Sequence, residues 1–460
     1  MDIVRLVEKK ILLVAEKIIA VLGEGTSYTN FEMELKKELD GLGCEILGTV
    51  LEALEEKTFG SEDRKRDWTV VRKGDPKQIL TPFGPLLFKR RYYRNRLSGK
   101  HAYLVDQKVG ITPHMHVGVN LKASLTETSG ENSYEVTTQQ ISRYNPELKI
   151  SKQTVGNCVK EFRVRADLGP KKKKSVGELF IEADEDHIKI RGRKGAQARL
   201  IYVHEGVSMH PRRHLKNARY FTTVKKTPEA FWLEVCDYIA THYDLSSISS
   251  IYLSGDGAKW IQVGREYIPG AIFVLDKFHL SKYILRATAH APALKASIYQ
   301  AIYRLDKPAV LARFNEALAL ADNPARKKRI QDTIRYIKNN WDGIESQVKY
   351  PHVSCSAEGH VSHVLSARLS SRPMAWSLKG ASNMASIRAV KANGERVREH
   401  YMASSGALPA LELSQEVKRE LIKVKRKLLG KENVNNIPLF NGGHNLTRNA
   451  LKGLMEQRVI

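Results

Sequence analysis

The order of apolar segments between residues 178 and 275 limits the fold of this chain more than any other feature. ELFIEADEDHIKI at 178–190, LIYVH at 200–204 and YFTTV at 220–224 read as three successive strands, joined by the basic loops RGRKGAQAR and PRRHLKNAR. From Pro228 to Tyr243, Phe231, Val235 and Ile239 recur at helical spacing. Ser249–Leu253 and Ala271–Leu275 are short apolar runs separated by a helix-sized segment, the layout of parallel strands buried in an α/β sheet.

Three strands, a helix, then strand, helix and strand is the order of a ribonuclease H-like core. Upstream, Val4, Leu6, Val7, Ile11, Val14 and Ile18, then Leu35, Leu39, Leu42 and Leu47, predict amphipathic helices from Ile3 to about Thr58. QILTPFGPLLFKRRYYRN at 78–95 predicts a hairpin around a Pro-Phe-Gly-Pro turn, and its Arg and Tyr residues suit either a phosphate backbone or a solvated edge strand. Pro170 and the KKKK run at 171–174 mark a linker, and residues 280–345 are helical without a strand signal. The expectation is a multidomain α/β chain: an N-terminal helical region at 1–75 and a basic hairpin with a helix-turn-helix DNA-binding region at 76–170. A catalytic core follows at 175–280, with a helical insertion at 281–345, a second part of the core at 346–405 and a basic C-terminal tail at 406–460.

Within this frame the carboxylates are telling. Period-two alternation sends Glu182, Asp184 and Asp186 to one face of the first strand, where acidic groups among apolar neighbours are costly unless paired or metal-bound. Asp256 follows a buried-type strand in LSGDGAKWI, at the carboxyl end where α/β sheets place ligand groups, and its flanking glycines permit close approach. Glu358 opens a helix whose Val361, Leu365 and Leu369 share one face. Carboxylates brought together in this way suit two hard cations that activate water for phosphodiester cleavage. Each also has a plain structural explanation: a solvated strand face for Asp184, a turn for Asp256 and a helix-start glutamate for Glu358.

The partner class follows from charge. With 75 basic and 50 acidic residues the net charge is +25, a field that attracts a polyanion. EVTTQQISRYNPELKISKQTVGNCVKEF has helix-turn-helix spacing, with Val136–Ile141 as a first helix, a break at Asn145 and Pro146, and Ser151 capping a second helix from Lys152 to Phe162. That second helix offers Lys152, Gln153, Thr154 and Asn157 to a major groove. Arg191, Arg193, Lys194, Arg212, Arg213 and Lys216 lie in loops near the sheet, and Arg368 and Arg372 follow Glu358, suited to a scissile phosphate or to fixing the catalytic helix. VKRELIKVKRKLLGK at 417–431 is a basic amphipathic helix. Cys44, Cys158, Cys236 and Cys355 form no CxxC pair and read as reduced cytoplasmic thiols, and Glu16 and Lys17 interrupt the most apolar early stretch, Ile11 to Leu22, so no membrane partner is expected.

EADEDHIKI, LSGDGAKWI, LDKFHLSKY and SAEGHVSHVLSARLSSRPMAWS resemble the motifs of the ISLre-two family of bacterial insertion-sequence transposases, distantly similar to Mutator-type transposases. The resemblance extends over nearly the whole chain and includes the 78–95 hairpin. It implies a catalytic triad of Asp184, Asp256 and Glu358 holding Mg²⁺, or Mn²⁺ in its place. It places the first aspartate at Asp184, five residues before Lys189, with Asp186 as the alternative. His279 matches the histidine of a C/DxxH signature and Asp276 stands where some relatives carry cysteine, which implies a role in positioning DNA or the metal site. The implied activity is cleavage and strand transfer at the terminal inverted repeats of an insertion sequence by a homo-oligomer on double-stranded DNA, in the bacterial cytoplasm at the nucleoid. A metal-dependent nuclease or resolvase on the same fold, and a non-catalytic DNA-binding regulator, are the rival expectations.

Overall fold

The computed structural model describes residues 3–165 and 169–404. The expected basic tail at 406–460, with its helix at 417–431, lies outside the described residues. The chain divides into two compact units, whose described parts are residues 3–121 with 144–148, and residues 122–143 with 149–404.

In the first unit, helices Ile3–Gly23 and Tyr28–Gly60 pack together, the second capped by the Ser27 hydroxyl, which accepts the Asn30 amide. Strands β1 (Trp68–Thr81) and β2 (Gly84–Asn95) form an antiparallel hairpin, and β3 (His101–Ala102) pairs with β2. The hairpin turns at Pro82 and Phe83 as its sequence requires, but β1 begins ten residues before Gln78, with irregular register between Val70 and Asp75. Much of the Arg and Tyr content of β2 is directed inward. Tyr93 is fully buried with its hydroxyl on Glu55, and Arg90 is paired with Asp106 and stacked on Tyr103. Lys89, Arg94 and Arg96 remain exposed.

The second unit is mixed α/β. Strands β4 (Glu178–Ile188), β5 (Ala196–His204), β8 (Arg219–Thr223), β9 (Ser250–Gly255) and β10 (Ile272–Leu275) form a sheet in the order β10-β9-β4-β5-β8, while β6 (Val207–Ser208) and β7 (His214–Leu215) make a separate ribbon. The first three sheet strands are antiparallel, and β4, β9 and β10 run parallel. β5 starts four residues earlier than its apolar run because Ala196–Arg199 continue to pair with Glu185–Ile188.

Alternation along β4 gives the sheet two unlike faces. Leu179, Ile181 and Ala183 join Phe231, Trp232, Val235 and Ile239 of the Pro228–His242 helix in the main core, where complete burial of such side chains contributes about 1.5–3 kcal/mol each. Between β9 and β10 the chain forms only two short helical turns, Lys259–Gln262 and Gly264–Tyr267. After β10, helices Lys277–Thr288, Ala293–Tyr303, Lys307–Ala319, Pro324–Asn339 and Trp341–Lys349 fill the segment that lacked a strand signal. The second face carries Glu182, Tyr202 and Ser254 and is covered by the helix Ala357–Leu369, with Leu378–Ala392 packed on β8. Among the described residues, no helix is long and apolar enough to cross a membrane.

Candidate active site

Parallel register brings the aspartates together. Glu182 pairs with Ser254 across β4 and β9, so Asp184 and Asp256, each two residues further on, stand at matching positions on the second face. Leu275 pairs with Gly255, and the Asp276 amide donates to the Gly255 carbonyl at 2.9 Å, which sets Asp276 beside Asp256. Three aspartates therefore stand in a row where the parallel pairing of β4, β9 and β10 ends.

The Asp256 turn depends on its glycines. A Cβ on Gly255 would lie 2.9 Å from the Ala183 carbonyl, and Gly257 has φ +87° with its Cβ position 2.3 Å from Asn340 Oδ1. Asp256 Oδ1 accepts the Ala258 amide at 2.8 Å, and the Tyr336 hydroxyl donates to the Asp256 carbonyl at 2.9 Å. Tyr336 is itself stacked on Tyr283, ring centroids 4.0 Å apart. Helices beyond β10 thus brace the loop from behind, a contribution by Tyr336 and Asn340 that no motif in the sequence announced.

The local field is strongly negative. Burial, with the Asp256 and Glu185 charges, pushes the Asp184 carboxyl up to about 6, against the Glu185 amide that it accepts at 2.8 Å and the nearby His279. Burial also raises Glu185, whose carboxylate takes the Trp260 indole N–H. His279 is raised by its hydrogen bond to Asp276 Oδ2, at 2.7 Å, and by the Asp256 and Asp184 charges. Asp276 is buried and also caps the Lys277–Thr288 helix by accepting the Phe278 amide.

Glu358 is the second residue of the Ala357–Leu369 helix and is exposed. Both ends of this helix are tied to β4. Before it, the Ser356 amide and hydroxyl donate to Glu182; after it, the Ser370 hydroxyl donates to Asp186 at 2.7 Å. Asp184 lies between these two anchors. The helix widens into a π-turn at Ser362–Ser366, and Arg388 donates to the carbonyls of His363 and Val364 there.

Among the described residues, no three His, Cys, Asp or Glu side chains converge into a ready-made ion cage. The donor set nonetheless fits a hard divalent cation. Asp184 and Asp256 are carboxylates whose proximity already disfavours ionisation of Asp184, and a cation between them would relieve that repulsion.

The remaining residues singled out by sequence occupy different settings. Ser151 caps the Lys152–Glu161 helix as expected, accepting the Thr154 amide, and Lys152, Gln153 and Asn157 are exposed, with Gln153 bonded to Asn157 at 2.9 Å. Its partner helix spans Tyr134–Tyr144, longer than the expected 136–141. Arg191, Arg193 and Lys194 are all exposed in the β4–β5 turn, and Arg191 Nε donates to the Ala375 carbonyl at 3.0 Å. Arg212, Arg213 and Lys216 are exposed around the β6–β7 ribbon, and Arg372 is exposed past the Ala357–Leu369 helix. Arg368 is buried: its Nε donates to Ser129, and its guanidinium lies over the rings of Tyr134 and Trp376. These contacts tie the end of the Ala357–Leu369 helix to the segment around Ser129 and Tyr134.

Residues 21–405 match the family described as "Uncharacterised protein family (UPF0236)". In Caldanaerobacter subterraneus subsp. tengcongensis, UPF0236 protein TTE0033/TTE0744/TTE0838/TTE0852/TTE1082/TTE1247/TTE1519/TTE1678/TTE1739/TTE1823/TTE2212 is 37% identical over 428 residues, 92% of this chain and 90% of the relative. UPF0236 protein TTE2489 of the same organism is 36% identical over 442 residues, 93% of each chain. The UPF0236 protein in vanSb 3'region of Streptococcus gallolyticus is 24% identical over 434 residues, 89% of this chain and 93% of the relative. With a match over most of its length, the chain belongs to the UPF0236 family.

Proposed function

We propose that this protein is a DDE transposase with a ribonuclease H-like core, acting on the terminal inverted repeats of its own insertion sequence. The observation that carries the reading is the alignment of Asp184 on β4 with Asp256 at the end of the adjacent parallel strand β9, beneath the helix whose second residue is Glu358. Asp184 is favoured over Asp186 as the first aspartate because the Asp186 carboxylate is engaged by Ser370. Asp184, Asp256 and Glu358 would hold Mg²⁺, or Mn²⁺ in its place, which supplies an activated water and stabilises the leaving oxygen. Water attacks the phosphorus at the element end and the bond to the 3′ oxygen breaks. The 3′ hydroxyl so freed then attacks a target phosphodiester in line, forming the new joint as the target's own 3′ oxygen leaves.

Double-stranded DNA, at the nucleoid in the bacterial cytoplasm, is the partner that the +25 charge favours. The exposed Lys152, Gln153 and Asn157, with the partly exposed Thr154, would read the ends, and Arg193, Lys194, Arg212 and Arg213 would hold phosphates. Two ends must be held at once, so the working form is a homo-oligomer. The name of one relative carries eleven locus labels from a single strain, the multiplicity expected of a sequence that copies or moves itself.

The test uses purified full-length protein, DNA carrying the element ends, and Mg²⁺. Cleavage and joining are expected, with Asp256→Ala and Glu358→Ala abolishing both and leaving end binding intact. Cutting without joining of pre-cleaved ends would make the protein a nuclease or resolvase. Specific binding without any metal-dependent cleavage would make it a regulator.

A further inference from the structure

Glu182 is almost completely buried, an acidic side chain in the middle of a sheet. Its Oε2 accepts the Tyr202 hydroxyl and the Ser356 amide, its Oε1 accepts His204 Nε2 at 3.0 Å, and the Ser356 hydroxyl adds a fourth donor at 3.2 Å. Burial alone would push this carboxyl up; the bonds from His204, Tyr202 and Ser356 together outweigh it and hold it below the ordinary glutamate range. A carboxylate whose lone pairs are taken by four protein donors has little capacity left to ligate an ion. Two of those donors belong to Ser356, two residues before Glu358, and the other two belong to β5, the strand next to β4.

We propose that Glu182 is a positioning residue: by gripping the Ser356 amide and hydroxyl from the central strand, it fixes where the Ala357–Leu369 helix begins and hence where Glu358 stands relative to Asp184. The proposal rests on the transposase reading for its functional consequence, and on geometry alone for the anchoring. Glu182 and Asp184 point from the same face of one rigid strand, so the tether sets one carboxylate by reference to another. Glu358 is exposed and stands two residues after Ser356, so its location follows from the start of its helix. An anchor on Ser356, two residues before Glu358, is short enough to transmit position. Misplacement of a catalytic group by about 1 Å costs on the order of 100-fold in rate.

Glu182→Gln tests this, because an amide of nearly equal volume replaces one acceptor oxygen with a donor and must abandon at least one of the four donors. Two readouts are taken on the full chain: hydrogen exchange, and single-turnover cleavage of end DNA with Mg²⁺. Exchange in the peptide spanning 354–362 is expected to rise about 10-fold while that spanning 250–260 stays as in the wild type. The cleavage rate is expected to fall about 100-fold with the Kd for end DNA unchanged. Unchanged exchange at 354–362 overturns the anchoring, whatever the activity. Raised exchange with an undiminished cleavage rate overturns the positioning role. Raised exchange in a protein whose wild type never cleaves DNA overturns the transposase reading and with it the catalytic consequence, but leaves the anchor standing. Should Glu182→Gln fail to fold, Tyr202→Phe removes a single donor and carries the same readouts at about 3-fold amplitude.

Discussion

The backbone amide of Asp276 donates to the carbonyl of Gly255, which holds Asp276 beside Asp256 at the ends of two neighbouring parallel strands. The Asp276 side chain faces the Lys277–Thr288 helix, accepting the Phe278 amide and His279 Nδ1. The folded state therefore favours protonation of His279, whose pKa is raised first by the hydrogen bond to Asp276. Such a group adds stability that is complete below its unfolded pKa and is lost as pH rises through the higher folded value. Asp276→Asn keeps the cap and weakens the ion pair. It should lower the His279 pKa in an NMR titration and destabilise the protein by about 1 kcal/mol at pH 5, with a smaller loss at pH 8.5.

Asp184 titrates with the same sign, over a lower pH range and for a different reason. Its carboxyl is raised to about 6 by burial and by the Asp256 and Glu185 charges, so the folded state prefers the neutral acid. The stability it contributes is complete below its unfolded pKa near 4 and disappears as pH climbs through about 6. In EDTA the wild-type Tm should rise as pH is lowered from 7.5 to 5, and Asp184→Asn should flatten that rise. The substitution should raise the metal-free Tm at pH 7.5 and abolish any further stabilisation by Mg²⁺.

Gly257 carries both a left-handed backbone and a wall against it. At φ +87° and 2.3 Å from Asn340 Oδ1, a methyl group is strained twice over. Gly257→Ala should cost about 2–3 kcal/mol in urea unfolding. Adding Asn340→Ala opens the space and leaves the dihedral strain, so the double variant should show less than the sum of the two single losses.

How far the chain could be read from its sequence varied with the kind of signal. The five sheet strands were visible because Ile181, Leu253 and Val274 lie in apolar runs with a strand's length, and the helix after β8 because Phe231, Val235 and Ile239 repeat at helical spacing. Asp256 was marked by its glycines, whose necessity is now explained by the Ala183 carbonyl and Asn340. Period two also put Glu182 on the same face as Asp184, but nothing local distinguished a ligand from an anchor. That difference is made by Tyr202, His204 and Ser356, up to 174 residues away. The bracing of Asp256 by Tyr336, 80 residues on, was invisible for the same reason. The inward turn of Arg90 and the burial of Arg368 show the converse error: an Arg-rich segment reads as a phosphate surface until its aromatic and carboxylate partners are known.

Arg193 and Lys194 extend from the turn joining β4 to β5, at the end of β4 that lies beyond Asp184, and both are exposed. If they meet phosphates, each contributes about one unit to the salt dependence of binding. Replacing both with Ala should reduce the slope of log Kd against log salt by about 2 for end DNA and for unrelated duplex alike. An unchanged slope would remove this turn from the DNA surface.

Arg388 binds the Ala357–Leu369 helix at its π-turn. Its guanidinium donates to the His363 and Val364 carbonyls in the π-turn, to the Gly130 carbonyl at 3.2 Å, and pairs with Glu131. A widened turn leaves carbonyls without their helical donors, and Arg388 supplies donors to two of them. Lysine cannot reproduce this fork, since it offers a single nitrogen where three directions are required. Arg388→Lys should therefore behave almost as Arg388→Ala, each losing about 2–3 kcal/mol. Amide exchange should increase across both 362–370 and 129–135, since one side chain joins the two segments. If Lys restores wild-type exchange in either segment, charge rather than the fork holds them together.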